Sequence, residues 1–334
     1  MSTGGRERDA VRLGPGGEFQ TIRSFLAALP AAPGVRVGPG DDAAVLDGGI
    51  ALSTDMAVEG VHFRFDWVTP AEAGYRACAA ALSDLAAMAA HPVGVLVSLA
   101  VPGPGGAASL PIMGGVRELL DALQVPLLGG DLTRSPGPVV IDVVAVGRAE
   151  HPLLRRGARP GDELWVTGRL GAAAAAVAQW ERGLEPPPEL RERFVRPTPR
   201  LAEARHLASA LGASAGLDLS DGLAGDGGHL AAASGVGLVI DAWRIPLHPA
   251  VASEGPGIAL HGGEDFELLV TIPPDHPGAE VENFRERFDL SLTRIGTVEP
   301  GRGLRIRDVP GGEPRRPERG GWDHFNEAEE EEQG

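Results

Sequence analysis

Residues 38–63 read GPGDDAAVLDGGIALSTDMAVEGVHF, a pattern that predicts a β-hairpin with acidic residues at its open end. Two apolar runs flank a turn at residues 47–49, and glycine accepts the positive φ that hairpin turns require. If the Gly-Gly pair forms the loop, Asp42 lies opposite Asp55. If the Asp-Gly pair forms it, the register slips and Asp42 faces Ser53.

Either register brings acids and hydroxyls to one end of the hairpin: Asp41, Asp42, Ser53, Thr54 and Asp55. Like charges that face each other across strands repel, so either a carboxylate takes up a proton or a cation lies between them. Hard oxygen ligands with no nearby thiol suit Mg2+. The alternative is that these are ordinary solvated aspartates at turns and strand ends. One Asp–Asp pair does not decide between the two interpretations.

Length and composition exclude several classes of protein. The chain has 334 residues, which suggests two domains, and a formal net charge of -16, with arginine as its only basic residue type. An acidic chain binds polyanions poorly, so we expect neither nucleic acid nor a membrane as partner. The missing lysine excludes a Walker-type phosphate lysine and Schiff-base chemistry. Because no run approaches about 18 apolar residues and Cys78 has no disulfide partner, we expect a cytoplasmic protein.

A helix follows the hairpin and carries a further acid. Residues 69–72 read TPAE, which is a capping box with proline at the first helical position, and the helix should run to about residue 89. Asp84 lies inside it, with apolar neighbours three and four positions away. A buried carboxylate needs a partner, and a cation at the hairpin would provide one. A solvated aspartate in the middle of the helix is the alternative.

Glycines precede two more acids. Residues 93–101 predict an apolar strand and residues 110–123 a helix, followed by a short buried strand at 125–128 that ends in GGD at 129–131. Two glycines before an aspartate let a backbone or a phosphate come close. The sequence HGGED at 261–265 repeats this arrangement.

In the second half, residues 217–222 read LDLSDG and should close a strand and open a helix. Asp218 and Ser220 then share one face of the strand. Ser220 or Asp221 could instead serve only as the N-cap of the helix. Residues 148–161 are rich in Arg, Pro and Gly and are typical of a domain junction.

Taken together, the motifs resemble the thiamine-monophosphate kinase family. The matching segments occur in order from about residue 38 to residue 325: GPGDDAAVL, LSTDMAVEGVHF, ALSDLAAMAAHP, LLGGDLTR, RPGDELWVTG, RPTPR, LDLSDGL, HGGEDFELL and GWDHF. The family belongs to an ATP-binding superfamily that includes aminoimidazole ribonucleotide synthetase and selenophosphate synthetase.

The resemblance implies an α/β (α+β) PurM-like fold of two domains. An N-terminal sheet-forming domain over residues 1–148 would bind ATP and magnesium and form a homodimer. A C-terminal α/β domain would span residues 149–326, and residues 327–334 would form a disordered acidic tail. The implied reaction is the phosphorylation of thiamine monophosphate by ATP to thiamine diphosphate, with several Mg2+ ions.

The resemblance also assigns roles by position. Magnesium ligands would be Asp42, Ser53, Thr54, Asp55, Asp84, Asp131, Asp218 and Asp221. ATP contacts would be Gly130, Asp131, Arg155 and Ser220, and thiamine phosphate contacts His62, Glu264 and Trp322. The chain departs from the family pattern at Leu132, where Thr is usual, at Ala81, where Asn is common, and at Pro39, where an aliphatic residue is usual. None of these departures removes a metal ligand.

The expected mechanism is a direct in-line transfer assisted by magnesium. The acceptor phosphate is already a nucleophile, so we expect no single side chain to act as an essential general base. Two alternatives remain: another enzyme of the superfamily, such as an aminoimidazole ribonucleotide synthetase, and a non-catalytic regulator that binds magnesium and nucleotide. The GGED and GWDHF segments, on the acceptor side, argue against the regulator.

Overall fold

The structure is a computed structural model that describes residues 16–26, 32–103 and 106–322. The first half forms a six-stranded sheet in the order β1-β2-β3-β6-β4-β5. Its strands are β1 (Val35–Val37), β2 (Ala44–Leu46), β3 (Ile50–Val58), β4 (His91–Val101), β5 (Leu127–Arg134) and β6 (Val140–Arg148). Strands β4 and β5 run parallel, whereas β3 and β4 each pair antiparallel with β6.

The second half forms another six-stranded sheet in the order β12-β9-β11-β7-β10-β8. Its strands are β7 (Glu163–Thr167), β8 (Ala215–Asp218), β9 (Gly237–Asp241), β10 (Leu268–Ile272), β11 (Leu292–Glu299) and β12 (Gly303–Arg307). Strand β8 lies at one edge of this sheet.

Helices accompany the two sheets. They are α1 (Gly17–Leu26), α2 (Pro70–Ala87), α3 (Ser109–Leu123), α4 (Ala172–Glu181), α5 (Pro188–Val195), α6 (Leu201–Ser209), α7 (Leu223–Ser234), α8 (Gly257–His261) and α9 (Gly278–Phe288). Helices α2 and α7 contact strands directly. In the part of the chain that the structure describes, none of the helices combines the length and the apolar character that a membrane-spanning helix needs.

The hairpin forms as predicted, but both predicted registers are wrong by one residue. Ala44 lies opposite Leu52 and Val45 opposite Ala51. The loop therefore has three residues, and its two glycines, Gly48 and Gly49, adopt φ values of 81° and 76°. Consecutive glycines suit two-residue and three-residue loops alike, so the sequence does not distinguish them.

Helix α2 joins the two halves of the molecule. The predicted capping box is confirmed: the Thr69 side chain accepts a hydrogen bond from the backbone N–H of Glu72 (3.2 Å), and Glu72 accepts one from the backbone of Thr69 (2.8 Å). The helix contacts β3, β6 and α3 in the first half and α5, α6 and β8 in the second half. Side chains of α2 can therefore meet residues of both sheets, and Cys78 packs in its buried interior.

The crossing of α2 and α3 depends on glycine. A Cβ atom at Gly115 would lie 1.7 Å from the carbonyl oxygen of Ala71. We therefore expect Gly115→Ala to lower the free energy of unfolding by about 1–3 kcal/mol, the usual cost of overpacking. Gly114 is the matched control because it is exposed on the same helix with no atom within 4 Å of an added Cβ. Gly114→Ala should raise stability by about 0.5–1 kcal/mol through helix propensity. Urea denaturation measures both, and changes of the same sign would contradict the close crossing.

Strand β5 differs from the prediction. Residues 125–128 were expected to form a short buried strand, but β5 covers Leu127–Arg134 and all its residues are exposed. It forms the edge of the first sheet and has a strand neighbour on one side, β4. The apolar residues of β5 are therefore exposed at the edge of the sheet, and the GGD segment lies within the strand rather than after it.

Aromatic rings and an ion pair connect the segment before α2 with helices of the second half. Trp67 stacks on Trp180, with ring centroids 5.5 Å apart and planes within 7°, and Trp180 meets Phe194 edge-on at 5.3 Å. Arg191 donates two hydrogen bonds to the carboxylate of Glu72, at 2.6 and 2.8 Å. These contacts hold the two halves together at one end of α2.

Candidate active site

Three of the predicted metal ligands converge at the junction of the two halves. Asp42, Asp84 and Asp218 each direct one carboxylate oxygen to a common point, and these oxygens lie within 4.8 Å of one another. Asp42 precedes β2, Asp84 lies in the last turn of α2, and Asp218 ends β8. Residues far apart in the sequence therefore form one acidic cluster.

The cluster is electrostatically suited to a cation. The Oδ2 atom of Asp42 is buried and has no hydrogen-bond partner. Burial, together with the charges of Asp218, Asp55 and Asp42, raises the pKa of Asp84 well above its ordinary value. Burial and the charge of Asp42 raise the pKa of Asp218 to about 7. Three close oxygens with an unsatisfied acceptor match the ligand preference of Mg2+, whose charge would favour the ionised carboxylates.

Two serine hydroxyls orient the cluster. Ser53 in β3 donates to Oδ2 of Asp84, and Ser83 in α2 donates to Oδ2 of Asp218 at 2.6 Å. Hydrogen bonds of this kind fix the direction of carboxylates that hold a metal. The predicted ligand Ser53 thus lies at the cluster, while Ser83 was not predicted.

Arg155, a predicted ATP contact, lies directly on the cluster. Its Nε and Nη2 atoms donate to Oδ1 of Asp42, at 3.1 and 2.5 Å. Its backbone N–H donates to Asp41 at 2.6 Å, and burial raises the pKa of Asp41 to about 6. One edge of the acidic group is therefore neutralised by a guanidinium, a group that also binds phosphate well.

Thr54 and Asp131 are among the predicted ligands that are not brought to this point, as is Asp221. The Thr54 hydroxyl donates to Asp142 at 2.8 Å, on the face of β3 opposite Ser53, because successive side chains alternate. Asp131 and Gly130 lie on β5, and two strands separate β5 from β3. That separation is about 14 Å at the usual strand spacing. Asp55, by contrast, is close enough to raise the pKa of Asp84.

Two of the predicted acceptor-side residues, Glu264 and Trp322, bond through their backbones to the segment that follows β8. The N–H of Glu264 donates to the carbonyl of Ser220 at 2.8 Å, and the N–H of Trp322 donates to that of Asp221 at 3.1 Å. Gly222 is the N-cap of α7, and no side chain caps this helix, so the capping interpretation of Ser220 and Asp221 is wrong. Segments from three parts of the chain thus meet near the end of β8.

The third predicted acceptor contact, His62, belongs to the loop after β3. Its Nδ1 atom accepts a hydrogen bond from the backbone N–H of Val58 at 3.0 Å. A neutral His62 therefore carries its proton on Nε2, which is the nitrogen that can donate to a ligand.

Sequence reasoning missed Asp226 and Arg76. Asp226 in α7 is 4% exposed and accepts a hydrogen bond from the N–H of Asp221 at 3.0 Å. Burial, with the charges of Asp221 and Asp218, raises its pKa well above the ordinary value. Its signal is the one that marked Asp84, apolar neighbours three and four residues away, which are here Leu223 and Leu230. Arg76 gave no such signal, because its partner lies 188 residues away.

The raised pKa of Asp218 makes stability depend on pH. Between its ordinary value of 3.8 and about 7, the folded state binds this proton more tightly than the unfolded state does. The stability that protonated Asp218 contributes is therefore present at low pH and is lost as the pH rises through about 7. Without magnesium, the stability of Asp218→Asn relative to the unsubstituted protein should increase over this range. Urea denaturation at several pH values measures the difference, and a constant difference would contradict the burial of an ionisable Asp218.

Comparison with known proteins defines the class. Residues 40–149 match the N-terminal domain of AIR synthase related proteins, and residues 159–309 match the C-terminal domain. The two sheets are therefore those of a two-domain protein of this class, and the predicted PurM-like α/β fold is confirmed.

The relatives narrow the class to a family. The chain is 35% identical to the thiamine-monophosphate kinase of Salmonella typhimurium over 330 residues, covering 92% of this chain and 98% of that protein. It is 38% identical to that of Mycobacterium tuberculosis over 269 residues, covering 76% and 80%. The solved structure of AaThiL complexed with AMPPCP and TMP has a TM-score of 0.77 and 30% identity, covering 97% of this chain and 100% of that one. This chain belongs to the thiamine-monophosphate kinase family.

Proposed function

We propose that this chain transfers the γ-phosphoryl group of ATP to thiamine monophosphate, which gives thiamine diphosphate and ADP. The observation that carries the proposal is the convergence of Asp42, Asp84 and Asp218 at the junction of the two halves. The family supports the choice of substrates, and AaThiL was solved with AMPPCP, an analogue of ATP, and TMP.

Asp42, Asp84 and Asp218 would hold magnesium, with Ser53 and Asp55 beside them. When bound, magnesium screens the phosphates and stabilises the negative charge that spreads during transfer. The chain supplies the ligands and their orientation, since Ser53 and Ser83 fix two of the three carboxylates. Asp131 and Asp221 lie outside this cluster, and the Thr54 hydroxyl donates to Asp142, so these three residues would hold magnesium only at further positions.

Arg155 and Ser220 would bind the triphosphate, and Gly130 and Asp131 would contact ATP from β5. Arg155 supports this role because its guanidinium already lies beside Asp42, where phosphate and metal would meet. The acceptor phosphate needs no base, and transfer proceeds by direct in-line attack once both substrates are oriented.

Glu264, Trp322 and His62 would bind thiamine monophosphate. The Trp322 side chain is 52% exposed, and an aromatic face binds a cationic ring such as the thiazolium of thiamine. The carboxylate of Glu264, 31% exposed, suits the amino group or the positive charge of the same ligand.

We also propose a homodimer formed through the first sheet. This sheet and its edge strand expose large apolar side chains: Ile50, Met56, Val93, Leu127, Leu128 and Leu132. Exposed apolar patches of this kind mark interaction surfaces. We also propose that the reaction takes place in the cytoplasm, where ATP is available. The N-terminal domain would end at residue 148 and the C-terminal domain at residue 326.

The test is an assay of ADP and thiamine diphosphate formation with and without magnesium. We expect both products from ATP and thiamine monophosphate, and neither when EDTA is present. Formylglycinamidine ribonucleotide serves as the rival acceptor, and its turnover would identify an aminoimidazole ribonucleotide synthetase instead. Binding of magnesium and ATP without turnover of either acceptor would identify a non-catalytic regulator and overturn the proposal.

A further inference from the structure

We propose that Arg76 is a positioning residue of the acceptor site, where it holds Glu264 in the orientation that binds thiamine monophosphate; this inference rests on the proposed function. Arg76 lies in α2 and is 6% exposed. Its Nη2 atom donates to Oε2 of Glu264, which lies in the loop before β10. The pair thus connects the helix that carries Asp84 with the acceptor-side segment of the second half.

The guanidinium of Arg76 is fixed by contacts other than Glu264. Its Nη1 atom donates to the carbonyl oxygen of Phe194 at 2.8 Å. Its Cζ atom lies 3.8 Å from the centroid of the Phe194 ring and 5.7 Å from that of Phe266. A planar group held between rings and a carbonyl presents its remaining donors in one direction, which a flexible ammonium does not.

The backbone of Glu264 is strained and is held by contacts of its own, apart from Arg76. Its φ is 74°, and that of Phe266 is 49°, in the left-handed region that non-glycine residues rarely adopt. Backbone hydrogen bonds from Glu264 to Ser220 (2.8 Å) and from Phe266 to Leu219 (2.9 Å) hold the main chain in this conformation. The Glu264 side chain is held separately, by Arg76.

This arrangement determines what Glu264 can do. With Oε2 on Arg76, the other oxygen of the 31% exposed side chain can accept a hydrogen bond from the acceptor. The guanidinium also offsets a negative charge that would otherwise repel the incoming phosphate. Burial lowers the pKa of Arg76 to about 9, and the charge of Asp55, beside the magnesium cluster, offsets part of this shift. Arg76 therefore interacts both with Asp55, beside the metal ligands, and with the acceptor contact Glu264.

The test compares Arg76→Met with Arg191→Met. Arg191 is the matched control because it also joins the two halves, through Glu72, and lies 119 residues from that partner. We expect Arg76→Met to raise the KM for thiamine monophosphate by roughly tenfold to a hundredfold, the usual effect of losing a hydrogen bond to a charged group. The KM for ATP and the Kd for AMPPCP should stay unchanged. Arg191→Met should lower the unfolding temperature without changing either KM.

A double-variant cycle tests the link between the two residues. Glu264→Gln should raise the same KM, and Arg76→Met combined with Glu264→Gln should be no worse than the more severe single variant. If Arg76→Met does not fold, Arg76→Lys decides, because lysine keeps the charge but cannot reproduce the fixed fork, and a smaller rise in the same KM is expected.

Equal rises in the KM for both substrates, or effects in the double variant that multiply, would overturn the assignment. So would an unchanged KM for thiamine monophosphate in folded Arg76→Lys. These outcomes differ from a failure of the proposed function itself. In that case the unsubstituted protein would form no thiamine diphosphate at all.

Discussion

Replacing Asp84 with asparagine should reduce kcat for thiamine diphosphate formation on the order of a thousandfold, the scale of losing one preorganised electrostatic group. Asparagine keeps the shape of the side chain but removes a charge from the three-carboxylate cluster. The same change should stabilise the metal-free protein, because burial and three neighbouring acids disfavour the ionised form of Asp84. Steady-state kinetics and urea denaturation in EDTA measure the two effects.

The opposite directions of these effects separate a functional role from a structural one. Asp121, an exposed acid on α3, provides the control, and Asp121→Asn should change neither activity nor stability appreciably. If Asp84→Asn retained activity, or if it lost activity only because it unfolded, the proposed role of Asp84 as a magnesium ligand would be wrong.

Replacing Arg155 with methionine should destabilise the metal-free protein strongly. The side chain of Asp42 is 1% exposed, and its Oδ1 atom bonds to Arg155 while Oδ2 lacks a partner. Breaking a buried ion pair by removing one partner costs about 3–5 kcal/mol, because the other charge stays buried and unpaired. Magnesium should restore part of this stability by taking the place of the guanidinium beside Asp42. The KM for ATP should also rise, since Arg155 is the proposed phosphate contact.

A second substitution tests the cause of this loss. In Asp42→Asn combined with Arg155→Met, the charge of Asp42 is no longer left without its partner, so most of the stability should return while activity stays absent. Thermal unfolding with and without magnesium measures this recovery. Equal losses in the single and the double variant would show that the stability of the site does not depend on the Asp42–Arg155 pair.

Local patterns predicted much of the fold and part of the site. The capping box predicted the start of α2. The apolar neighbours of Asp84 indicated a buried carboxylate that needs a partner, and the structure places it with Asp42 and Asp218 in one candidate cation site. The hairpin register was not predictable, because two consecutive glycines allow loops of different length. The exposure of β5 depends on its place at the sheet edge, which no local pattern records.

Long-range pairs account for what the sequence could not show. Arg76 meets Glu264 across 188 residues, and Arg155 meets Asp42 across 113. Both pairs bring charged residues into the junction between the two sheets, where burial makes the pairing obligatory. A buried arginine of this kind looks like a surface residue until the packing of α2 against the second half is known.

The most direct test is the anomalous diffraction of crystals grown with Mn2+, AMPPCP and thiamine monophosphate. The account predicts a manganese peak bound by carboxylate oxygens of Asp42, Asp84 and Asp218, next to the phosphates of the nucleotide. Phosphates bound elsewhere, with no metal between these three carboxylates, would contradict it.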